Sequence, residues 1–191
     1  MRIIAGKYRS RILKSLRGEA LRPTSDRLRE TLFDVLGAAV DGSYFLDVYA
    51  GTGAIGIEAL SRGAAGAIFI EKHAPATKLI RANLDSLDIT SGAIIFTSDA
   101  IRALEKLAAR QSAETPLVDF VFVDPPYAAQ EEYKRIFEFL GSPSATFLAA
   151  NALVIFEHHH KFSLSESSGR LARTRVLKQG DAALSFYRIT G

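Results

Sequence analysis

Cysteine is absent from this 191-residue sequence, and long apolar runs are absent as well. Without cysteine the chain can form no disulfide, offer no thiolate to a metal and use no thiol nucleophile. No apolar run approaches the roughly 20 residues that span a bilayer, and the first residues lack the apolar stretch of a secretory signal. These absences favour a cytoplasmic protein that has no membrane segment.

The charge of the chain is unevenly distributed. Hydrophobic residues make up 48% and charged residues 24% of the sequence, as is typical of a globular domain with a proper core. Residues 1–29 carry nine basic and two acidic side chains, whereas the rest carries 15 basic and 19 acidic ones. This basic N-terminal part predicts contact with a polyanion, and a solvated basic face is the alternative.

The pattern of apolar runs predicts an α/β fold. Beyond residue 44, almost continuous apolar runs alternate with helical stretches, which indicates a doubly wound, mostly parallel sheet. Residues 1–22 predict a small basic β arm or hairpin. The predicted strands cover residues 44–49, 67–71, 93–97, 120–124 and 153–157, and the predicted helices cover 53–62, 75–87, 100–110 and 131–140. Segments 173–178 and 183–189 predict a closing antiparallel hairpin.

A glycine-rich turn follows the first predicted strand. Gly51, Gly53 and Gly56 match the G-x-G-x-x-G pattern of dinucleotide sites, between a strand and a helix. Taken alone, this pattern fits NAD about as well as S-adenosylmethionine, and a tight turn that needs glycine for packing is the alternative. The turn therefore indicates a nucleoside-type cofactor.

Acidic residues near this turn favour S-adenosylmethionine. Asp47 lies in an otherwise apolar strand, where a carboxylate needs a donor. The ammonium group of S-adenosylmethionine would supply one, whereas a pyrophosphate would be repelled; a hydrogen-bonded core aspartate is the alternative. We expect Glu71 to bind the ribose hydroxyls and Asp99 with Ala100 to bind the adenine, although Asp99 also suits a helix N-cap. The predicted cofactor residues are Asp47, Ala50, Gly51, Gly53, Glu71, Asp99 and Ala100.

The most specific signal is Asp124-Pro125-Pro126-Tyr127, at the end of an apolar run. The prolines fix φ and cannot donate hydrogen bonds, so the turn presents rigid carbonyl oxygens. Asp124 and the carbonyl of Pro125 can both accept from the exocyclic amine of a base and orient its nitrogen towards a methyl donor. Tyr127 would stack on the base, once the base has left its helix or loop. A stiff turn with Tyr127 in the core is the alternative.

With these motifs in hand, the sequence resembles the bacterial 16S ribosomal RNA guanine-N2 methyltransferases of the RsmD type. The glycine and Asp-Pro-Pro-Tyr motifs alone are shared with adenine-N6 enzymes that act on DNA. The resemblance covers essentially the whole chain, including residues 1–9, 21–27, 30–33, 45–53, 58–64, 119–127, 180–181 and 184–187. The sequence departs from the family pattern at Ala5, Ser10 and Gln179.

The resemblance implies a fold, a reaction and a substrate. The fold is a seven-stranded class I methyltransferase domain over residues 23–191, monomeric and without a metal. The reaction methylates N2 of a guanine in 16S rRNA, free or in an assembling 30S subunit, and converts S-adenosyl-L-methionine to S-adenosyl-L-homocysteine. By analogy, Thr24 and Arg27 line the pocket and the arm grips phosphates. The implied RNA-contacting residues are Arg9, Arg11, Arg22, Thr24 and Arg27.

Other functions and sites are compatible with parts of the sequence. The same amine chemistry would serve adenine N6 or a protein amino group, and a basic arm would also suit a noncatalytic RNA-binding assembly factor. His158-His159-His160 raises the question of a metal site. Three consecutive side chains after a strand are expected to point in different directions, so we predict a solvated loop or an RNA contact instead. Glu58 either supports the cofactor turn or faces solvent.

Overall fold

The alternation of strands and helices in this protein follows the apolar pattern of its sequence. The computed structural model describes residues 1–15, 26–112 and 115–190, and the chain divides into two compact units, Met1–Ser98 and Asp99–Gly191. Both units combine strands with helices, so the α/β prediction is confirmed. Arg22 and Thr24, which the resemblance assigns to RNA, lie outside the described residues, as does the rest of segment 16–25.

The first unit contains three parallel strands in the order β3-β2-β1. Helix α2 packs on β1 and β2, and α3 packs on β2 and β3. Each strand is followed by a turn and a helix, as the short apolar runs predict. The elements are α1 (Asp26–Leu36), a 3-10 turn (Gly37–Val40), β1 (Tyr44–Val48), α2 (Ala54–Ser61), β2 (Gly66–Glu71), α3 (Ala74–Asp85) and β3 (Ala93–Thr97).

The described part of the predicted N-terminal arm, residues 1–15, is built into the first unit. Its strand pairing amounts to one antiparallel bridge, between Arg2 and Ile12. Ile3 and Leu13 are 1% and 2% exposed and belong to the hydrophobic core that contains Phe69. Burial of these two side chains, each worth about 1.5–3 kcal/mol, therefore fixes the segment more than strand pairing does.

The second unit contains five strands in the order β4-β5-β8-β7-β6. Strands β4 and β5 are parallel, and the remaining pairs are antiparallel. The predicted closing hairpin is confirmed as β7 and β8. The described residues hold eight strands, one more than expected, because the two-residue β6 pairs with β7. The elements are α4 (Ala100–Ala109), β4 (Val118–Val123), α5 (Gln130–Gly141), β5 (Leu148–His159), β6 (Ser167–Ser168), β7 (Leu171–Gln179) and β8 (Ala182–Ile189).

Aromatic side chains form the core of the second unit around β5. The ring centroid of Phe137 lies 4.7 Å from that of Tyr187 and 5.5 Å from that of Phe156. Such pairs add about 0.5–1.5 kcal/mol beyond the area that they bury. Phe156 belongs to β5, so this packing buries the strand directly before Glu157. None of the helices in the described residues combines the length and the apolar character needed to cross a bilayer.

Candidate functional site

The glycine turn, residues 49–56, follows β1 in the first unit and contains three left-handed residues. Tyr49, Gly51 and Gly53 have φ values of 66°, 53° and 78°, and Tyr49 carries a strain of about 1–2 kcal/mol in this region. A Cβ at Gly51 would meet nothing within 4 Å, whereas a Cβ at Gly56 would lie 2.3 Å from the Phe69 ring. Gly56 is therefore required by packing, and Gly51 borders open space.

Asp47 lies inside β1, and its side chain is bonded to the helix that follows the glycine turn. The residue is 2% exposed, and its Oδ2 accepts from the backbone N–H of Gly56 at 3.0 Å. The N-cap residue of α2, Gly53, has no side chain to do this, so Asp47 performs the capping from the neighbouring strand. Asp47 is therefore a hydrogen-bonded core aspartate, which was the alternative expected from the sequence.

The environment of Asp47 also favours a cationic partner. The pKa of its carboxyl is raised to about 7, chiefly by burial and also by the charge of Glu71, while the bond from Gly56 acts in the opposite direction. A nearby ammonium group would stabilise the ionised form and lower this pKa. The residue therefore fits the predicted cofactor group chemically, in addition to its capping role.

Glu71, at the end of β2, braces the glycine turn. Its Oε2 accepts from the backbone N–H of Gly51 at 2.9 Å, and its Oε1 accepts from the N–H of His73 at 2.8 Å. The sequence predicts a ribose-binding carboxylate here and does not reveal this structural bond. An ionised carboxylate offers about four lone-pair sites, so both bonds are compatible with further donors such as ribose hydroxyls.

The two other predicted cofactor residues belong to the second unit. Asp99 is the N-cap of α4 and accepts from the N–H of Arg102 at 3.5 Å, so the alternative of a helix cap is confirmed. Ala100 is 4% exposed. The first unit thus brings together Asp47, Ala50, Gly51, Gly53 and Glu71, and binding of adenine by Asp99 and Ala100 stays a prediction.

The acceptor turn, residues 124–127, begins directly after β4. Asp124 and Tyr127 are half-buried, Pro125 is buried and Pro126 is exposed. The hydroxyl of Tyr127 donates to Oε1 of Glu157 at 3.3 Å, and its ring meets that of His159 edge-on at 5.8 Å. Tyr127 is therefore only partly buried, and its stacking on a base stays a prediction.

A buried tyrosine ties the acceptor turn to the end of β5. The hydroxyl of Tyr133, on α5, lies 3.1 Å from the carbonyl oxygen of Pro125 and 2.9 Å from that of Glu157. Its single hydrogen is shared between these two acceptors. The Pro125 carbonyl, one of the two predicted amine acceptors, is thus held in position by a side chain that the sequence analysis did not single out.

Glu157 is a further acidic residue of this site. It lies in β5 and is 5% exposed, with its carboxylate against Tyr127. The signal that could have identified it is the one that identified Asp124: an acid that ends an apolar strand run. The predicted strand 153–157 ends at this residue, but no role was assigned to it.

The expectation of a solvated loop at His158-His159-His160 is wrong, because β5 runs to His159 and pairs with β8. His158 is 4% exposed, and its Nε2 lies 2.8 Å from Oγ of Ser185. Burial lowers the pKa of His158 below its usual value, so its ring is neutral at neutral pH. The rings of His159 and His160 stack at 4.7 Å with an interplanar angle of 25°, so these two do not point in different directions.

His159, His160 and Asp181 bring one potential metal-ligand atom each within 4.8 Å of one another. However, Nδ1 of His159 accepts from the backbone N–H of Lys161 at 3.1 Å. That Nδ1 lone pair is therefore engaged within the protein in this arrangement, and the expectation of no metal stays a prediction.

Three of the basic residues that the resemblance assigns to RNA lie in the described part of the first unit. Arg9, Arg11 and Arg27 are all exposed. A guanidinium nitrogen of Arg11 donates to the carbonyl oxygen of Ser86 at 2.7 Å, at the end of α3. That bond satisfies one of the orphan carbonyls of the helix, so Arg11 has a structural role beside any contact with RNA.

Glu58 does not face solvent, which corrects one of its two predicted roles. The residue is fully buried on α2. Its carboxylate accepts from the N–H groups of Ile4 and Ala5 at 2.8 and 3.0 Å and from Nε of Arg62 at 2.8 Å. The equally buried Arg29 places its Nε 3.7 Å from the same carboxylate. The i, i+4 spacing of Glu58 and Arg62 is the feature of the sequence that could have predicted this ion pair.

Comparisons with known proteins first define the class. A solved structure of yhhF from Escherichia coli, a candidate methyltransferase, matches with a TM-score of 0.82 and 33% identity, over 99% of this chain and 97% of that one. The chain therefore has a methyltransferase fold. The family model described as "Conserved hypothetical protein 95" matches residues 1–188, and the chain belongs to this family.

Two curated relatives match over nearly their full lengths. Ribosomal RNA small subunit methyltransferase D of Escherichia coli is 33% identical over 190 residues, which are 98% of this chain and 89% of that protein. A candidate rRNA methyltransferase of Bacillus subtilis, YlbH, is 34% identical over 191 residues and covers both chains completely. The resemblance inferred from the sequence motifs is thereby confirmed.

Proposed function

We propose that this protein transfers a methyl group from S-adenosylmethionine to the N2 amino group of a guanine in small-subunit ribosomal RNA. One observation carries the proposal: the acceptor turn, with its half-buried Asp124, occurs in a chain whose full-length relative is a ribosomal RNA small subunit methyltransferase D. The substrate is 16S rRNA, free or in an assembling 30S subunit.

The residues of the glycine turn fit the proposed cofactor. Gly51 borders open space, which a nucleoside can approach closely, and Asp47 is a buried acid that a cation would stabilise. We assign the ammonium group to Asp47, the ribose hydroxyls to Glu71 and the adenine to Asp99 and Ala100. When bound, the cofactor supplies an electrophilic methyl group.

The acceptor turn supplies the chemistry of the amine. The lone pair of an exocyclic amine is delocalised into the base, so the nitrogen is a weak nucleophile. Asp124 and the carbonyl oxygen of Pro125, which Tyr133 holds in position, accept its two hydrogens and orient the nitrogen. As the methyl group transfers, Asp124 stabilises the positive charge that develops on nitrogen and takes up the proton.

The exposed basic side chains of the first unit fit a polyanionic substrate. Arg9 and Arg27 are exposed, as are Arg2, Lys7 and Lys14 in the N-terminal segment. Contacts between such side chains and phosphates release counterions, which makes affinity for RNA fall steeply with salt. We therefore assign the positioning of RNA to these residues and the reading of the base to the acceptor turn.

The deciding experiment is transfer of labelled methyl from S-adenosylmethionine to unmodified 30S subunits and to free 16S rRNA, followed by nucleoside analysis. We expect N2-methylguanosine. Asp124→Ala should reduce the rate at least about a hundredfold and should keep its affinity for the cofactor, whereas Glu138→Ala, on an exposed position of α5, should behave as wild type.

Other outcomes would redirect the proposal. N6-methyladenosine in place of N2-methylguanosine would keep the amine chemistry and replace the base. If the cofactor binds but no RNA is methylated, the RNA substrate is wrong and protein amino groups become the substrates to test. An Asp124→Ala variant as active as wild type would remove the acceptor turn from the reaction.

A further inference from the structure

We propose that Glu157 selects guanine by accepting a hydrogen bond from N1–H of the target base, next to the amino group that Asp124 accepts. This role rests on the proposed function, because it takes guanine N2 as the methylated group. It would make Glu157 a specificity-determining residue, whereas the acceptor turn alone serves any exocyclic amine. All the residues involved belong to the second unit.

The sheet register sets Glu157 beside the acceptor turn. Strands β4 and β5 are parallel, with Phe122 opposite Ile155 and Val123 opposite Phe156. The same register carried one residue further sets Asp124 beside Glu157. Neighbouring strands lie about 4.8 Å apart, and ligands of such sheets bind at the carboxyl ends of the strands. Asp124 thus follows the end of β4, and Glu157 lies beside it in β5, two residues before that strand ends.

Hydrogen bonds hold Glu157 in this position. Its backbone carbonyl shares the hydroxyl of Tyr133 with Pro125, and its carboxylate accepts from the hydroxyl of Tyr127 at 3.3 Å. The residue is 5% exposed. The backbone of Glu157 is therefore tied to the acceptor turn, and its carboxylate is bonded to the hydroxyl of the tyrosine that is proposed to stack on the base.

The pair of carboxylates matches one base better than the other. Guanine presents N1–H beside its N2 amino group, so its edge carries adjacent donors. Adenine presents a lone pair at N1 beside its N6 amino group, and this lone pair would face a carboxylate oxygen. Ionised carboxylates only accept hydrogen bonds, and each has about four lone-pair sites. Because a carboxylate accepts several hydrogen bonds, Glu157 can accept from N1–H in addition to its contacts within the protein, which favours guanine.

The test uses 2-aminopurine, which keeps the N2 amino group but has a lone pair at N1. Once the methylated guanine has been mapped, 30S particles are reconstituted with 16S rRNA that carries either guanine or 2-aminopurine at that position. For the wild-type protein we expect kcat/KM for guanine to exceed that for 2-aminopurine at least about tenfold, since the unpaired carboxylate would be left facing a lone pair.

The isosteric variant Glu157→Gln should reduce this ratio to within about threefold. An amide can turn its oxygen to N1–H of guanine or its NH2 group to the bare N1 of 2-aminopurine. The matched control is Glu138→Gln, an exposed position on α5, which should keep the wild-type ratio. A purely structural role of Glu157 would lower kcat/KM for both bases equally and leave the ratio unchanged.

The outcomes separate this inference from the proposed function. If wild type makes N2-methylguanosine but accepts 2-aminopurine equally well, or if Glu157→Gln folds and keeps the wild-type ratio, the inference is wrong and guanine methylation stands. If wild type makes no N2-methylguanosine, both are wrong. Should Glu157→Gln not fold, Glu157→Asp withdraws the carboxylate by one methylene; a lowered ratio supports the inference, and an unchanged ratio overturns it.

Discussion

The glycine turn and the acceptor turn each lie beside acidic residues of buried strands, but their backbones are held in place differently. In the glycine turn, Asp47 and Glu71 accept from backbone N–H groups of the turn itself. In the acceptor turn, two prolines and the hydroxyl of Tyr133 restrain the backbone. Asp47 and Glu71 therefore stabilise the glycine turn in addition to any ligand that they bind, whereas Tyr133 and the prolines restrain the acceptor turn.

The largest expected effect is on the pH dependence of the free energy of unfolding, and it comes from the buried carboxyl of Asp47. Its pKa rises from 3.8 to about 7 on folding. Between pH 3.8 and about 7 the carboxyl is ionised in the unfolded chain but still protonated in the folded one. The free energy of unfolding therefore falls by on the order of 4 kcal/mol as the pH rises through this range, and it stays constant at higher pH. Asp47→Asn does not titrate. The variant should therefore be more stable than wild type at pH 8 and nearly equal to it at pH 4.

Urea unfolding of wild type and Asp47→Asn at several pH values measures this difference. Asp85→Asn, at an exposed position on α3, is the matched control and should follow wild type at every pH. If Asp47→Asn also runs parallel to wild type from pH 4 to 8, burial does not govern this carboxyl. The same variant should bind S-adenosylhomocysteine more weakly, because its amide is a poorer partner for the ammonium group.

A pair of glycine substitutions separates folding from binding within the glycine turn. Gly56→Ala places a methyl group 2.3 Å from the Phe69 ring, and such overpacking costs about 1–3 kcal/mol. Gly51→Ala meets no atom within 4 Å and is destabilised only by its left-handed φ of 53°, by about 1–2 kcal/mol. Thermal unfolding should rank Gly56→Ala as the less stable, and calorimetry should show the greater loss of S-adenosylhomocysteine affinity for Gly51→Ala. The opposite ranking in both measurements would mean that packing does not distinguish these glycines.

The smallest effect is expected in the acceptor turn. Tyr133→Phe removes the hydroxyl shared by the carbonyls of Pro125 and Glu157, which should lower the free energy of unfolding by about 1 kcal/mol. The methylation rate should fall even under conditions where the variant is fully folded, because the carbonyl of Pro125, one of the two proposed amine acceptors, is no longer held in position. A single-turnover assay beside chemical denaturation tests this, and a rate equal to wild type would show that the prolines alone position the turn.

Helices and strands in which apolar residues recur at a regular spacing could be predicted from the sequence. The strands beyond residue 44, the helices between them and the closing hairpin follow from apolar periodicity, and Asp124 stands out because two prolines follow an acid that ends an apolar run. Boundaries shift where hydrogen bonding rather than hydropathy decides them. Strand β5 begins at Leu148 and runs to His159 because β4 and β8 pair with it, although its last residues are polar.

The partners of the acids could not be predicted, because they lie far apart in the sequence. Glu71 bonds to Gly51, 20 residues away, and Glu58 bonds to Ile4, 54 residues away. An acid in the sequence shows that a partner is needed, but only the fold determines whether that partner is a ligand, a basic side chain or a backbone N–H. The expectation of a solvated loop at the three histidines was wrong for the same reason. Their burial depends on pairing with β8, whose residues lie more than 20 positions further along the chain.

The buried carboxylate of Glu58 has a consequence for synthesis of the chain. Its backbone donors, Ile4 and Ala5, precede it by 54 and 53 positions. A nascent chain therefore emerges with Ile3 and Leu13 uncovered, and these side chains can join the core only after α2 has been made. Translation that pauses before residue 58 would leave an apolar segment exposed to chaperones and proteases. The segment is thus made before α2 and docks after it.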